Sequence, residues 1–222
     1  MNLAQIIAMF KKDLSSEIRT RYAINSLVMF VIVTISVILF SVGSEPVPVN
    51  LLGGLFWVVV FFTAMSGLSR VFVTEEERGT TMTLRLLAKP NSVFLGKLLF
   101  NLVLIFSMNT VIAILYSAFF DTFIIKSKEL FILAFFLGNI GMAISSTILA
   151  AIIAKASSKG TLYPVLSFPI LLPLILVLIE LSKACIEGTT FAEIQIQLLI
   201  LVCYDVMMLS ISLLLFDFIW KD

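Results

Sequence analysis

Histidine is absent from the sequence. It is the commonest general base and the commonest metal ligand in proteins, so its absence argues against catalysis or metal binding that depends on an imidazole. Cysteine is scarce as well. Cys185 and Cys203 lie 18 residues apart and lack the CxxC spacing of metal and redox motifs. We interpret them as unpaired small residues rather than as a disulfide.

Charged residues are also few. They make up 13% of the 222 residues, whereas hydrophobic residues make up 60% and the mean hydropathy is +1.14. Soluble domains carry about 25% charged residues, so this chain lacks the solvating surface of a soluble protein. We predict that it is embedded in a lipid bilayer. No basic face remains once membrane spans are assigned, which disfavours a nucleic-acid partner.

Motifs of ATP binding and hydrolysis are missing. The sole Gly-Lys pair, Gly96-Lys97, is followed by Leu98 and is preceded by no matching glycine, so the chain has no phosphate-binding loop. The motifs HExxH and GxSxG are also missing. We therefore predict that this chain is not an enzyme, with no catalytic residues, no metal site and no cofactor bound by this chain alone.

Long apolar stretches are what the sequence has in abundance. A helix that crosses a membrane needs about 20 mostly apolar residues. The pattern predicts six spans, at about 22–42, 51–73, 98–120, 130–154, 161–181 and 194–219. These spans occupy nearly the whole chain and leave no room for a separate soluble domain. We predict an all-α polytopic membrane protein with a single transmembrane domain, 1–222.

Lysine and arginine are distributed unequally between the connections. Twelve of them fall in the N-terminus, in 70–97, in the predicted turn 155–160 and in the C-terminus, whereas only Lys126, Lys128 and Lys183 fall in the opposite set. Positively charged loops face the cytoplasm. The sequence therefore predicts that both termini and the segment 74–97 are cytoplasmic.

The first 21 residues alternate between apolar and polar at helical spacing. The apolar stripe comprises Leu3, Ile6, Ile7, Phe10, Leu14 and Ile18. This pattern predicts an amphipathic cytoplasmic helix, 1–21, that lies in the membrane interface with its apolar side toward lipid. An ordinary anchor leading into the first span is the alternative.

Three prolines, Pro164, Pro169 and Pro173, lie within the fifth span. Each removes a backbone donor and clashes with the preceding turn, so a straight helix is disfavoured. Two alternatives stay open. The segment is either a kinked, packed helix, or it breaks and re-enters the outer leaflet before Glu180, with 182–193 as an outer cap.

One acidic residue, Asp205, lies deep within a predicted span. Carboxylates inside membranes are costly and usually face a partner or water. We expect either a polar functional site or subunit contact at Asp205, or a protonated or hydrogen-bonded residue that packs against a neighbouring helix.

A short charged island, 74–90, interrupts the apolar chain. Glu75, Glu76 and Glu77 are expected to end the second span at the water boundary, and Gly79 permits a turn. Thr80 or Thr81 can cap a short helix, which Pro90 stops through its effect on the preceding residue. The leucines of this helix need a partner surface, which is either the headgroup region or another protein.

This island carries a resemblance to a known family. The stretch 70–80 reads RVFVTEEERGT and is followed at 84–90 by LRLLAKP, while 12–19 reads KDLSSEIR. The chain resembles permeases of the type-2 ABC exporter class, and more closely the CcmB family, the membrane subunit of the haem exporter of cytochrome c maturation. The proline-bearing fifth span is also similar.

The resemblance implies a function and a set of partners. It implies an ABC ATPase subunit that binds ATP, a haem-handling membrane subunit, a small single-span subunit, a second copy of this chain, and a place in the bacterial inner membrane. Haem is the implied substrate of the complex. The implied ATPase-coupling residues are Glu75, Glu76, Glu77, Arg78, Gly79, Thr80, Leu84, Leu87 and Pro90.

Two other functions stay open at this point. One is a type-2 ABC permease for a lipid, polysaccharide or drug. The other is a secondary transporter or channel that uses Asp205 as an ion-linked site. The island has a role only in an ABC permease, whereas Asp205 has a role only in the transporter.

Overall fold

The structure, a computed structural model, describes residues 3–43, 48–120, 123–154, 156 and 159–221. The predicted turn 155–160 lies largely outside these residues. The described residues form helices without a strand. These helices are α1 (Leu3–Thr20), α2 (Tyr22–Val42), α3 (Val49–Leu68), α4 (Arg70–Glu77), α5 (Thr81–Leu87), α6 (Pro90–Phe119), α7 (Lys128–Ala154), α8 (Lys159–Glu187) and α9 (Phe191–Lys221).

Six helical stretches are long and apolar enough to cross a membrane. They are Ile24–Val42, Leu51–Glu77, Pro90–Phe119, Lys128–Ala154, Leu162–Glu187 and Phe191–Trp220. The prediction of an all-α polytopic protein with six membrane helices is thus confirmed. The predicted loop 74–97 is wrong in detail, because α4 extends the second span to Glu77 and α6 begins at Pro90. Only the turn around Gly79 and the short connection before Pro90 are not helical.

Helix α7 lies at the centre of the bundle and packs against α6, α8 and α9. Small residues on α7 allow this close approach. A Cβ atom added at Gly138 would lie 2.8 Å from two methyl carbons of Leu178 in α8, and one added at Gly141 would meet α9. A fully buried run on α7, from Met142 to Leu149, completes the interior.

Polar side chains join α6 to α7 inside the bundle. Asn101 donates a hydrogen bond to Thr147 Oγ1 at 2.8 Å, and Asn109 donates one to Asn139 Oδ1 at 2.6 Å. Hydrogen bonds of this kind hold membrane helices together where the hydrophobic effect cannot. They fix how α6 is aligned along α7. They thereby also fix the position of the Pro90 end of α6, which follows the island.

The fifth span is one continuous helix. Helix α8 runs from Lys159 to Glu187 with Pro164, Pro169 and Pro173 inside it. The described residues therefore correspond to the packed-helix alternative and not to a break before Glu180. The first half of the expected outer cap, 182–187, forms the last turns of α8.

Candidate functional site

The charged island forms a helix, a tight turn and a second, short helix. Helix α4 continues α3 beyond Ser69, and the chain reverses at Gly79, whose φ of 66° lies in the left-handed region that glycine adopts readily. Helix α5 ends before Lys89, which is extended, and Pro90 opens α6 as its first residue. The residue before a proline is driven out of the helical region, so the predicted stop at Pro90 is confirmed.

The turn is tied back onto α4 by its threonines. The Thr80 hydroxyl donates to Glu75 Oε2 at 2.5 Å, and the Thr80 backbone N–H donates to Glu75 O at 3.0 Å. The Thr81 hydroxyl donates to Glu76 Oε2 at 2.7 Å. Thr80 occupies the N-cap position of α5, but its side chain makes no cap hydrogen bond. The predicted side-chain cap is therefore wrong at Thr80, because the hydroxyl is used by the carboxylate.

Glu75 lies in a cluster of charged side chains from α1, α4 and α6 rather than at the water boundary. It is only 8% exposed, while Lys97 from α6 is fully buried. Lys97 Nζ donates to Glu75 Oε1 at 3.3 Å, to Asp13 Oδ2 at 3.2 Å and to the Val71 carbonyl at 2.8 Å. Lys12 Nζ also pairs with Glu75 Oε1. Buried charges persist only when they are paired, so each member depends on the others.

Helix α1 contacts the island and α6 along one of its faces. Gln5 donates to the Leu87 carbonyl at 3.3 Å, and Arg78 donates to Ser16 Oγ at 3.3 Å. A Cβ atom added at Gly96 would lie 2.5 Å from Met9 Cβ, so α1 and α6 touch almost backbone to backbone. Helix α1 thus packs on the island and on α6 as a structural element of the bundle.

The apolar stripe of α1 is divided between the bundle and the outside. Ile6 is buried, and Phe10 and Leu14 pack against the core, whereas Leu3 and Ile18 are exposed. The prediction placed the whole stripe against lipid. It is wrong for Ile6, whose backbone carbonyl would lie 3.0 Å from a Cβ added at Gly96.

One face of α5 is apolar and exposed. Met82, Leu86 and Leu87 are 70%, 83% and 69% exposed, whereas Leu84 is 7% exposed. On the inner face, the Arg85 guanidinium lies 5.6 Å from the centre of the Trp220 ring at the end of α9. Among the predicted coupling residues, Leu87 lies on the exposed face, and Leu84 lies in the core. Met82 and Leu86 were missed, although their spacing of four residues signals a shared helical face.

The other predicted coupling residues surround α5. Glu76, Glu77, Arg78, Gly79 and Thr80 are exposed, and Pro90 is half-buried. Glu76, Glu77, Arg78 and Thr80 supply polar side chains beside the apolar face. Glu75 alone among the acidic residues of the island is buried. The one signal in the sequence was Lys97, which lies immediately before the predicted span 98–120 and in the structure is buried inside α6.

A cavity of about 340 Å³ separates α1 from α4 and α5. It is lined by charged side chains such as Lys12, Asp13 and Arg78 and by apolar ones such as Leu84 and Phe100. Because of this space, α1 and the island touch mainly through the polar contacts described above.

Asp205 lies far along the chain from the island and does not join it. It is buried on α9, and neither of its carboxylate oxygens has a hydrogen-bond partner among the described residues. A Cβ atom added at Gly141 of α7 would lie 2.5 Å from Asp205 Oδ1. Among the described residues, no group of three or more cysteine, aspartate or glutamate side chains could hold a metal ion.

The comparison with curated proteins gives no match. The family model described as CcmB protein matches residues 4–218, which include the island, five of the six candidate membrane spans, and all but the ends of α1 and of the sixth span. Proteins of this family are membrane permease subunits that act with the other subunits of the Ccm ABC complex in cytochrome c maturation, and they are not catalytic enzymes. The chain belongs to the CcmB family.

Proposed function

We propose that this chain couples ATP hydrolysis on a separate ATPase subunit to haem export or haem delivery for c-type cytochrome biogenesis. The observation that carries the proposal is the short helix α5, which exposes Met82, Leu86 and Leu87 on one face. Its other face is held by Leu84 in the core and by Arg85 against Trp220. A helix that is held in place by the core and exposes apolar side chains is suited to binding another protein.

The docking face is suited to an apolar groove on the ATPase. Burying one Leu or Met side chain stabilises a complex by about 1.5–3 kcal/mol, so three such residues supply the anchors of a small interface. The surrounding Glu76, Glu77 and Arg78 carry charge of both signs. Charges at a rim contribute more to orientation and association rate than to affinity.

The proposed topology has both termini and the island in the cytoplasm, with the six spans in a bacterial inner membrane. The excess of lysine and arginine in this set of connections, twelve against three, supports it. In this orientation α5 faces the compartment that contains ATP.

Further partners follow from the family. We propose a haem-handling membrane subunit, a small single-span subunit and a second copy of this chain, with haem as the substrate of the complex. The absence of histidine is consistent with haem ligands on the other subunits. Large exposed apolar side chains along α9, among them Leu199, Val206 and Leu214, offer surface both for these contacts and for lipid.

A second candidate is a transporter that uses Asp205 as an ion-linked site. The buried carboxylate without a hydrogen-bond partner favours it. Asp205→Asn separates the two functions. The ABC permease retains most c-type cytochrome formation, whereas the transporter loses it at normal expression.

The docking role is tested with Leu86→Asp, using Leu86→Met as the matched control. The aspartate puts a charge into the apolar face without touching the core, so the protein should insert normally. We expect affinity for the ATPase subunit to fall about 10- to 100-fold, which corresponds to the loss of one buried leucine anchor. Leu86→Met should bind nearly as the wild type does, because it keeps an apolar side chain of similar volume.

Co-purification with the ATPase and the amount of c-type cytochrome are the two measurements. If Leu86→Asp binds the ATPase and supports cytochrome formation as the wild type does, α5 is not the docking element and the proposed coupling is wrong.

A further inference from the structure

The Glu75 carboxylate contacts three separate parts of the chain. Oε1 pairs with Lys12 of α1 and with Lys97 of α6, and Oε2 accepts the Thr80 hydroxyl hydrogen bond at the start of α5. The Glu75 carbonyl also accepts the Thr80 backbone N–H. One residue of α4 is thereby bonded to α1, α5 and α6.

The two positive and two negative charges of this cluster balance, and of its four side chains only that of Lys12 is widely exposed, at 41%. Lys12 and Lys97 face Asp13 and Glu75, with Lys97 fully buried. Removal of one member leaves the cluster with one unbalanced charge, next to the buried Lys97 and Glu75. The cluster thus resists separation of its helices more strongly than an exposed ion pair does.

The contacts of α1 with the island repeat along a single face. Gln5, Lys12 and Ser16 contact the island, and Met9 contacts α6. These positions share one stripe of a helix with 3.6 residues per turn. The cavity of about 340 Å³ separates the same elements elsewhere, so movement of α5 reaches α1 through these bonds.

We propose that the Glu75 carboxylate joins α1, α5 and the Pro90 end of α6 into one moving unit, so that α1 takes part in energy coupling instead of serving only as an anchor. Glu75 is then a positioning residue that acts behind the docking face of α5. The inference rests on the proposed function only for the source of the movement, which is the ATPase.

Whether Glu75 joins α1 to α5 can be measured without the ATPase. Spin labels are placed at Ser15 of α1 and Thr83 of α5, both exposed, in the full chain with Cys185→Ala and Cys203→Ser, and their distance distribution is recorded in lipid nanodiscs. We expect a narrow distribution in this background and a broad one in Glu75→Gln. An unchanged distribution in Glu75→Gln overturns the inference, whatever the ATPase does.

Three further variants guard against simple misfolding. Lys12→Met removes one ionic contact of Glu75 and should broaden the distribution, whereas Lys11→Met removes the neighbouring exposed charge and should leave it unchanged. Thr80→Val removes only the hydroxyl that reaches Oε2. Thr80→Val should broaden the Ser15–Thr83 distance distribution while the ion pairs between α1 and α6 stay intact. If Lys11→Met and Lys12→Met have equal effects, Glu75 does not join α1 to α5.

The coupling role is measured in the complex with the ATPase. Labels at Ser15 and at Glu129, on the first turn of α7, report movement of α1 against the bundle when a non-hydrolysable ATP analogue binds. We expect a shift in the wild type. We expect Glu75→Gln to retain the ATPase, because the α5 face is intact, and to lose both the shift and c-type cytochrome formation.

The outcomes separate the two proposals. If α1 does not shift in the wild type although the ATPase binds, or if Glu75→Gln keeps the full shift, the inference is overturned. If Leu86→Asp leaves ATPase binding intact, the proposed docking face fails instead, and the Ser15–Thr83 distance still decides whether Glu75 joins α1 to α5.

Discussion

A substitution at the contact between α7 and α9 tests the packing of the bundle most sharply. A methyl group added at Gly141 would lie 2.5 Å from Asp205 Oδ1 and 3.1 Å from each of two methyl carbons of Leu174. The first distance is shorter than any stable contact of carbon with oxygen. Gly141→Ala must therefore displace the Asp205 side chain, and overpacking of this kind costs about 1–3 kcal/mol.

The magnitude is best worked as a double-mutant cycle with Asp205→Ala. The Asp205 oxygens form no hydrogen bond with the described residues, so Asp205→Ala removes no such bond and opens the space that the Gly141→Ala methyl needs. We expect Gly141→Ala to cost about 1–3 kcal/mol in the wild type and less than about 0.5 kcal/mol in the Asp205→Ala background. The coupling energy between Gly141→Ala and Asp205→Ala then accounts for most of the destabilisation that Gly141→Ala causes alone.

The assay is reversible unfolding in mixed detergent micelles, with the free energy of unfolding compared among the four proteins. Gly138→Ala is the matched control, because its added methyl meets the Leu178 side chain and not Asp205. Its cost should be the same with and without Asp205. If Gly141→Ala costs equally in both backgrounds, or costs nothing in either, the close approach of Asp205 to α7 is refuted.

Three other substitutions probe the island and the bundle. Leu84→Asp places a charge in the core and should reduce folded protein in the membrane, measured as the monodisperse fraction after extraction, unlike the exposed Leu86→Asp. Gly96→Val wedges a branched side chain against Met9 and should release α1, which is measured as faster proteolysis of α1. Asn109→Leu should lower the free energy of unfolding by about 0.6 kcal/mol through loss of its bond to Asn139, with no effect on ATPase binding.

The sequence was sufficient for those features that depend on local composition. Length and hydropathy predict the six spans, because a bilayer demands about 20 apolar residues per crossing. The turn at Gly79 and the stop before Pro90 follow from the backbone preferences of glycine and of the residue that precedes proline. None of these features requires knowledge of which helices are neighbours.

Which side chains of the island are buried and which are exposed could not be predicted in the same way. Three consecutive glutamates have the same chemistry, and only Glu75 is buried, because Lys97, 22 residues away, and Lys12, 63 residues away, pair with it. Likewise, Leu84 and Leu87 have the same chemistry and a spacing of three residues, yet Leu84 is 7% and Leu87 69% exposed. Burial here is set by partners distant in the chain, and local pattern does not specify them.

The short length of α5 explains why its inner contacts matter for its proposed role. The helix has seven residues, and isolated helices shorter than about 12 residues are marginal in water. Its rigidity must therefore come from Thr80 bonded to Glu75, from Leu84 in the core and from Arg85 against Trp220. A docking helix transmits force only if it does not unfold under load. Substitutions behind α5 should thus reduce coupling while affinity for the ATPase persists, whereas substitutions on its exposed face should reduce affinity first.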